Sequence, residues 1–160
     1  MDENSKCLTK FHIVAGLVWL SLAMVGGTTL AYRLISPEAA EFLMNIEWLN
    51  FGRLRMFHTH AAIFGWLTNG FFAFSYYAVP KLVGQPLFAP RLAKFNSYFS
   101  QLAILLGALG LLSGFAEGVE YAEAPWWADV IFALSFVLVI VSILGTIIKA
   151  GQSQLYISAW

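Results

Sequence analysis

The chain carries little charge of either sign. Nine lysines and arginines balance nine acids, so the formal net charge is zero, and charged residues make up 11% of the sequence. A soluble domain is nearer a quarter charged. Without a basic excess, composition offers no electrostatic case for a nucleic-acid partner. Cysteine is nearly missing. Cys7 stands alone, which excludes an internal disulfide and a thiolate cluster for zinc or iron–sulfur; it reads as a free thiol on a reduced, cytoplasmic tail. There is no internal repeat and no low-complexity tract. What fills the chain is apolar: 59% of its 160 residues are hydrophobic and 16% aromatic. A soluble unit of this size leaves much of its surface exposed, so a lipid bilayer is the simpler place for that excess.

Four apolar runs are long enough to cross a hydrocarbon core, which takes roughly 20 helical residues. They cover residues 11–32, 56–79, 98–116 and 126–148, and the second contains no Asp, Glu, Lys or Arg. Lipid cannot satisfy open backbone groups, so each run is expected to be helical. The runs do not alternate apolar and polar residues as barrel strands do. The expected fold is therefore all-α: one integral membrane helical bundle of four transmembrane helices. The first run follows Lys6 and Lys10 as in a signal peptide, but it is too long for one and no small-x-small site follows it. It reads as a retained anchor.

Loop charges set the expected orientation. Lys6 and Lys10 precede the first run, Lys81, Arg91 and Lys94 lie between the second and third, and Lys149 follows the fourth. These positions share one side, which places the N-terminus in the cytoplasm. Glu38, Glu41, Glu47, Glu117, Glu120 and Glu123 gather on the other side. Arg53 and Arg55 break the pattern, sitting on the outer side where the second run begins. The loop from Ser36 to Leu49 reads as a short interfacial helix, with Ser36 as N-cap, Pro37 in the first turn and Glu38 near the N-terminus. Pro80 is expected to close the second helix, and Pro86 and Pro90 to keep the next loop irregular. Apolar character returns at residues 155–160, as at the entry to a fifth helix.

The informative stretch is Phe51-Gly52-Arg53-Leu54-Arg55-Met56-Phe57-His58-Thr59-His60. A histidine in a membrane helix is costly without a partner and is a functional candidate by default. Neutral imidazole is an axial ligand for haem iron, and its second nitrogen can be oriented by a hydrogen bond. Haem also carries two propionates that need cations. Arg55, three residues before His58, lies one helical turn away on nearly the same face, and arginine meets carboxylates with two parallel hydrogen bonds. The alternative for His58 is a packed interface histidine bonded to a carbonyl. His60 lies about 200° around the helix from His58, cannot face the same ligand, and reads as structural. His12 reads as an interfacial residue at the cytoplasmic mouth of the first helix. A second group, Glu117-Gly118-Val119-Glu120-Tyr121-Ala122-Glu123, could bind a hard cation such as calcium or relay protons; the alternative is a solvated acidic loop.

The stretch Gly-Arg-Leu-Arg-x-x-His-Thr at 52–59 resembles the helix-two signature of cytochrome cbb3-type oxidase subunit I, the C family of haem–copper oxidases. Phe74-Ser75-Tyr76-Tyr77-Ala78-Val79, the segment Glu120-Tyr121-Ala122-Glu123 with Trp126 and Asp129, Leu144-Gly145-Thr146-Ile147, and Tyr156-Ile157 through Trp160 are similar to the same family in order. The resemblance implies that this is the N-terminal portion of the catalytic subunit of a terminal cytochrome c oxidase in the bacterial inner membrane, transferring electrons to oxygen and moving protons. It implies that His58 is an axial ligand of low-spin haem b, that Arg55 lies at the haem propionates with Arg53 assisting, and that Glu120 contacts a calcium ion near them, with Glu123 a weaker candidate. The implied partners are the remainder of subunit I, membrane-bound cytochrome c subunits and the bilayer. Haem b3 and copper belong to the complete subunit, and their ligands do not map onto this chain. The family usually has Asn where this chain has His60. A nitric oxide reductase large subunit is the related alternative, and a non-catalytic membrane anchor or assembly protein the alternative of another class; the latter predicts no haem.

Overall fold

The computed structural model describes residues 2–36, 38, 41–42, 45–119 and 122–151. Four long helices account for most of them. α1 is Glu3–Ile35. α2 is one stack in three parts: an α-helical turn set Phe51–His60, a π-helical stretch Ala61–Leu67, and Thr68–Val83. α3 is Pro90–Ser113 and α4 is Trp126–Ala150. α1, α3 and α4 are each long and apolar enough to cross a membrane. Of the interfacial helix expected over residues 36–49, part lies outside the described residues; a 3-10 turn, Glu47–Leu49, closes the segment.

Local chemistry sets the ends. Asn50 caps α2, its side-chain oxygen accepting from the Gly52 and Arg53 amides at 2.9 and 3.3 Å, so α2 begins before the apolar run does. Two proline expectations need correction. Pro80 does not close α2: the helix runs one more turn and ends on Gly84, whose φ of 64° suits glycine. A proline costs only the bond to the carbonyl four residues back, which a helix near its end tolerates. Pro90 does not keep its loop irregular either. It occupies the first turn of α3, where its missing N–H is no loss, so Arg91 and Lys94 are helical.

α2 is the central element, touching α1, α3 and α4, while α1 packs along α2 and α3 along α4. α3 and α4 run antiparallel. The Phe88 amide before α3 donates to Thr146 Oγ1 near the end of α4 at 2.9 Å, and the Pro125 ring before α4 sits against Gly110 near the end of α3. Two apolar clusters form the interior: Leu8, Phe72, Tyr76, Leu87, Ala93 and Val139 towards the end bearing Lys10, Lys81 and Lys149, and Trp19, Ala23, Ala61, Ile104 and Ala108 above it. We call these the lysine end and, opposite, the arginine end of the bundle.

The distribution of residue types is inverted relative to a water-soluble protein. Ser5, His12, Asn69, Asn96, Ser97, Ser100, Ser135, Ser142 and Thr146 are buried, while Val14, Leu17, Val18, Val25, Leu134, Val137, Ile140 and Ile148 are exposed. Small and polar residues at helix contacts with large aliphatics outside is how helices pack in lipid, where hydrophobic burial supplies no drive between them.

Candidate functional site

The first turns of α2 carry the predicted site residues, and the structure sends them to different neighbours. His58 is half-buried and turns towards α1. Its Nδ1 lies 2.7 Å from the Ala23 carbonyl oxygen. A carbonyl only accepts, so Nδ1 is the donor in this bond. Nε2 has no hydrogen bond among the described residues. The ring packs closely against Gly27: a Cβ there would stand 2.7 Å from His58 Cε1 and 3.0 Å from Nδ1. Glycine is what lets α1 approach the imidazole this closely.

His60 takes the opposite face. It is buried and its Nε2 donates to the Ile104 carbonyl of α3 at 3.0 Å. A Cβ at Gly107 would meet its Cε1 at 2.6 Å. The two histidines therefore bind to different helices, as the 200° separation requires. Directly after His60 comes the π-helical stretch, against which Trp19 packs at Gly65. Single π-turns inside α-helices recur at functional sites; nothing in the apolar pattern of the sequence distinguishes this one.

Arg55 reaches the connection between α3 and α4, pairing with Glu123 at 3.1 Å; the arginine side chain is half exposed and the glutamate largely covered. Arg53 turns to the end of α3. Its Nη1 donates to the Leu112 carbonyl at 3.3 Å and lies 3.6 Å from Glu47, and its guanidinium covers Gly114, whose φ is 90°. That contact satisfies a helix C-terminus. His58, Arg55 and Arg53 thus share one end of the bundle, but among the described residues they do not converge on one cavity. The cleft nearest Arg55, about 370 Å³, is lined by Arg55, Met56, Glu117, Gly118, Val119 and Glu123.

Glu120 lies outside the described residues. Its neighbours are engaged: Glu117 accepts from the Trp126 amide at 2.9 Å and caps α4, and Glu123 holds Arg55. Among the described residues no group of three or more His, Cys, Asp or Glu side chains is placed to hold a metal ion.

Two residues were undervalued in the sequence. Arg33, in the last turn of α1, is a third arginine at this end; it is buried and donates to the Leu49 carbonyl. Its signal was available, because it too lies on the side where basic residues are unexpected. His12 is not interfacial. It is fully buried between α1, α2 and α3, with Nδ1 2.7 Å from Asn69 Oδ1 and Nε2 2.9 Å from Ser97 Oγ. Partners 57 and 85 residues away in sequence give no local signal.

Likeness to known proteins bears on what this bundle is. Residues 8–160 match the family model described as Cytochrome C and Quinol oxidase polypeptide I. The chain is 37% identical over 156 residues, 97% of its own length, to the Cbb3-type cytochrome c oxidase subunit CcoN1 of Stutzerimonas stutzeri, of which it covers 32%. It is 31% identical to cytochrome c oxidase subunit 1 of Rhodobacter capsulatus over 99% of its length and 30% of that protein. It is 30% identical to a cytochrome c oxidase subunit 1 homolog of Agrobacterium tumefaciens over 96% of its length and 28% of that protein. The chain spans about a third of the length of the curated relatives it matches. With four helices, three of them long apolar spans, a lipid-type distribution of residues and a family match over nearly its whole length, this multi-pass membrane protein belongs to the cytochrome c and quinol oxidase polypeptide I family.

Proposed function

We propose that the chain is part of the catalytic subunit of a terminal cytochrome c oxidase and that His58 supplies one axial ligand to low-spin haem b. The observation that carries this is the state of the His58 ring. Nδ1 donates to the Ala23 carbonyl and the ring packs closely against Gly27, which supports a reading in which Nε2 is the atom offered to the iron. An outer partner that sets tautomer and orientation is what metal-ligating histidines regularly have. A haem held there would supply one-electron redox chemistry. In this reading His58, oriented by the Ala23 carbonyl, would hold the iron, and the arginines at this end would meet the propionates. Arg55 is the leading cation, since its guanidinium remains half exposed. Arg53 is the assisting one, already committed in part to the Leu112 carbonyl. Glu120 is retained as a calcium contact.

In this reading all four helices cross the membrane, with the lysine end in the cytoplasm. Lys6, Lys10, Lys81, Arg91, Lys94 and Lys149 lie at that end, which agrees with the positive-inside rule. Oxygen as terminal substrate, the cytochrome c subunits and the remainder of subunit I are carried by the likeness to the oxidase subunits. A reduced-minus-oxidised optical spectrum of the chain, purified from membranes with its copurifying subunits, tests the reading. A sharp low-spin b-type band is expected. No haem in a preparation that contains the neighbouring subunits would leave a non-catalytic membrane anchor.

A further inference from the structure

Towards the lysine end, three helices bury side-chain polar atoms that make no well-formed hydrogen bond among the described residues. They are Tyr76 Oη on α2, both amide atoms of Asn96 on α3, and Ser135 Oγ on α4. All three residues are wholly inaccessible from the surface. Helical register places them near one another. Tyr76, Ala93 and Val139 belong to one cluster. Asn96 is three residues beyond Ala93 and Ser135 four before Val139. Because α3 and α4 run antiparallel, both steps lead one turn in the same direction, towards the arginine end, and on the same faces. The Tyr76 hydroxyl and the Asn96 side chain lie within reach of a hydrogen bond, but not at a geometry that closes a well-formed one.

The neighbouring polar groups cannot fill the gap, because they occupy one another. His12 holds Asn69 and Ser97; Gln101 Nε2 donates to Asn69 Oδ1 at 2.8 Å; Trp19 Nε1 donates to Gln101 Oε1 at 3.0 Å. An amide oxygen only accepts, so His12 Nδ1 donates to Asn69 Oδ1; the Ser97 hydroxyl lies between His12 Nε2 and the Ala93 carbonyl, at 2.9 and 3.0 Å. The His12 ring tilts against the Tyr76 ring with centroids 5.6 Å apart, so this closed chain borders the open one without satisfying it.

Buried amide and hydroxyl groups are almost always paired, and where protein supplies no partner an ordered water does. We propose that Tyr76, Asn96 and Ser135 form an internal water-binding site, holding at least one water that bridges phenol, amide and hydroxyl. The chemistry matches. Asn96 Nδ2 donates to the water, and Asn96 Oδ1, Tyr76 Oη or Ser135 Oγ accepts from it, which gives the two to four partners a buried water requires. A cleft of about 420 Å³ at the lysine end is lined by Asp2, Pro80, Lys81, Gly84, Gln85 and Pro86, and Pro80 is one helical turn from Tyr76. Pro80 also has no N–H to give the Tyr76 carbonyl, so the backbone at this level offers a further acceptor. The site does not depend on haem or on the identity of the assembled enzyme.

An experimental structure of the chain in its native membrane assembly, at a resolution that shows ordered water, tests this directly. The expected result is density within hydrogen-bonding distance of at least two of Tyr76 Oη, Asn96 and Ser135 Oγ. A dry contact, with Tyr76 bonded directly to Asn96 and Ser135 bonded to its own helix, would overturn the proposal. Radiolytic hydroxyl-radical footprinting of the same assembly gives a second reading that needs no resolved density. Tyr76 has no surface exposure, so it should be labelled only if water sits beside it, and Ser135→Ala, which leaves two of the three partners, should retain that labelling. Unlabelled Tyr76 in the unaltered protein would also count against the site.

Discussion

Gly27→Ala tests the geometry around His58 more sharply than changing the histidine. The new Cβ would lie 2.7 Å from His58 Cε1 and 3.0 Å from Nδ1, against an ordinary contact of about 3.4 Å or more. The imidazole must therefore move by several tenths of an ångström, away from α1 and away from the Ala23 carbonyl. Losing that bond costs about 0.5–1.5 kcal/mol, and the crowding about 1–3 kcal/mol more. If Nε2 is an iron ligand, loosening its outer partner should weaken metal binding by roughly 10- to 100-fold. The assay is haem b content per complex, with the midpoint potential of whatever haem remains. Gly70→Ala is the control. Nothing lies within 4 Å of a Cβ there, and alanine favours helix over glycine by about 1 kcal/mol, so haem content should be unchanged and stability equal or higher. A Gly27→Ala protein with full haem b at an unchanged potential would refute the claim that the ring's position matters to a ligand.

Further outcomes follow from the same contacts. Gly107→Ala should lower thermal stability in detergent by about 1–3 kcal/mol through crowding of the buried His60, while leaving the low-spin haem band in place; loss of the band at full stability would move the ligand assignment towards His60. Arg55→Ala should shift the haem potential or weaken haem retention yet change thermal stability by less than about 1 kcal/mol, because its pair with Glu123 is half exposed; an unchanged potential and retention would place Arg55 away from the propionates. His12→Leu should lower the unfolding temperature by removing the shared partner of Asn69 and Ser97, at about 1–3 kcal/mol for the buried groups left open, and an unaltered unfolding temperature would mean that the network closes without it.

What could be seen in the sequence divides by the range of the forces involved. The four helices were legible because lipid demands about 20 apolar residues per crossing, and the runs announce themselves. Their ends were not. α2 starts early because Asn50 caps it, and α3 starts at Pro90 because a polar, charged turn can extend a helix beyond the lipid. The opposition of His58 and His60 was legible from helical period alone. The direction each takes was not, because it depends on Gly27 and Gly107, small residues of other helices that admit the rings. His12 was misjudged for the same reason: its partners come from α2 and α3. For Arg53 the sequence suggests an assisting cation at the propionates, while its bond to the end of α3 depends on where that helix ends.

The central claim is that His58 ligates haem iron. The measurement that tests it most directly is the reduced-minus-oxidised spectrum of the assembled complex carrying His58→Ala, beside His60→Ala and the unaltered protein. The low-spin b-type band should be lost with His58→Ala and kept with His60→Ala. A full band in the His58→Ala complex would contradict it.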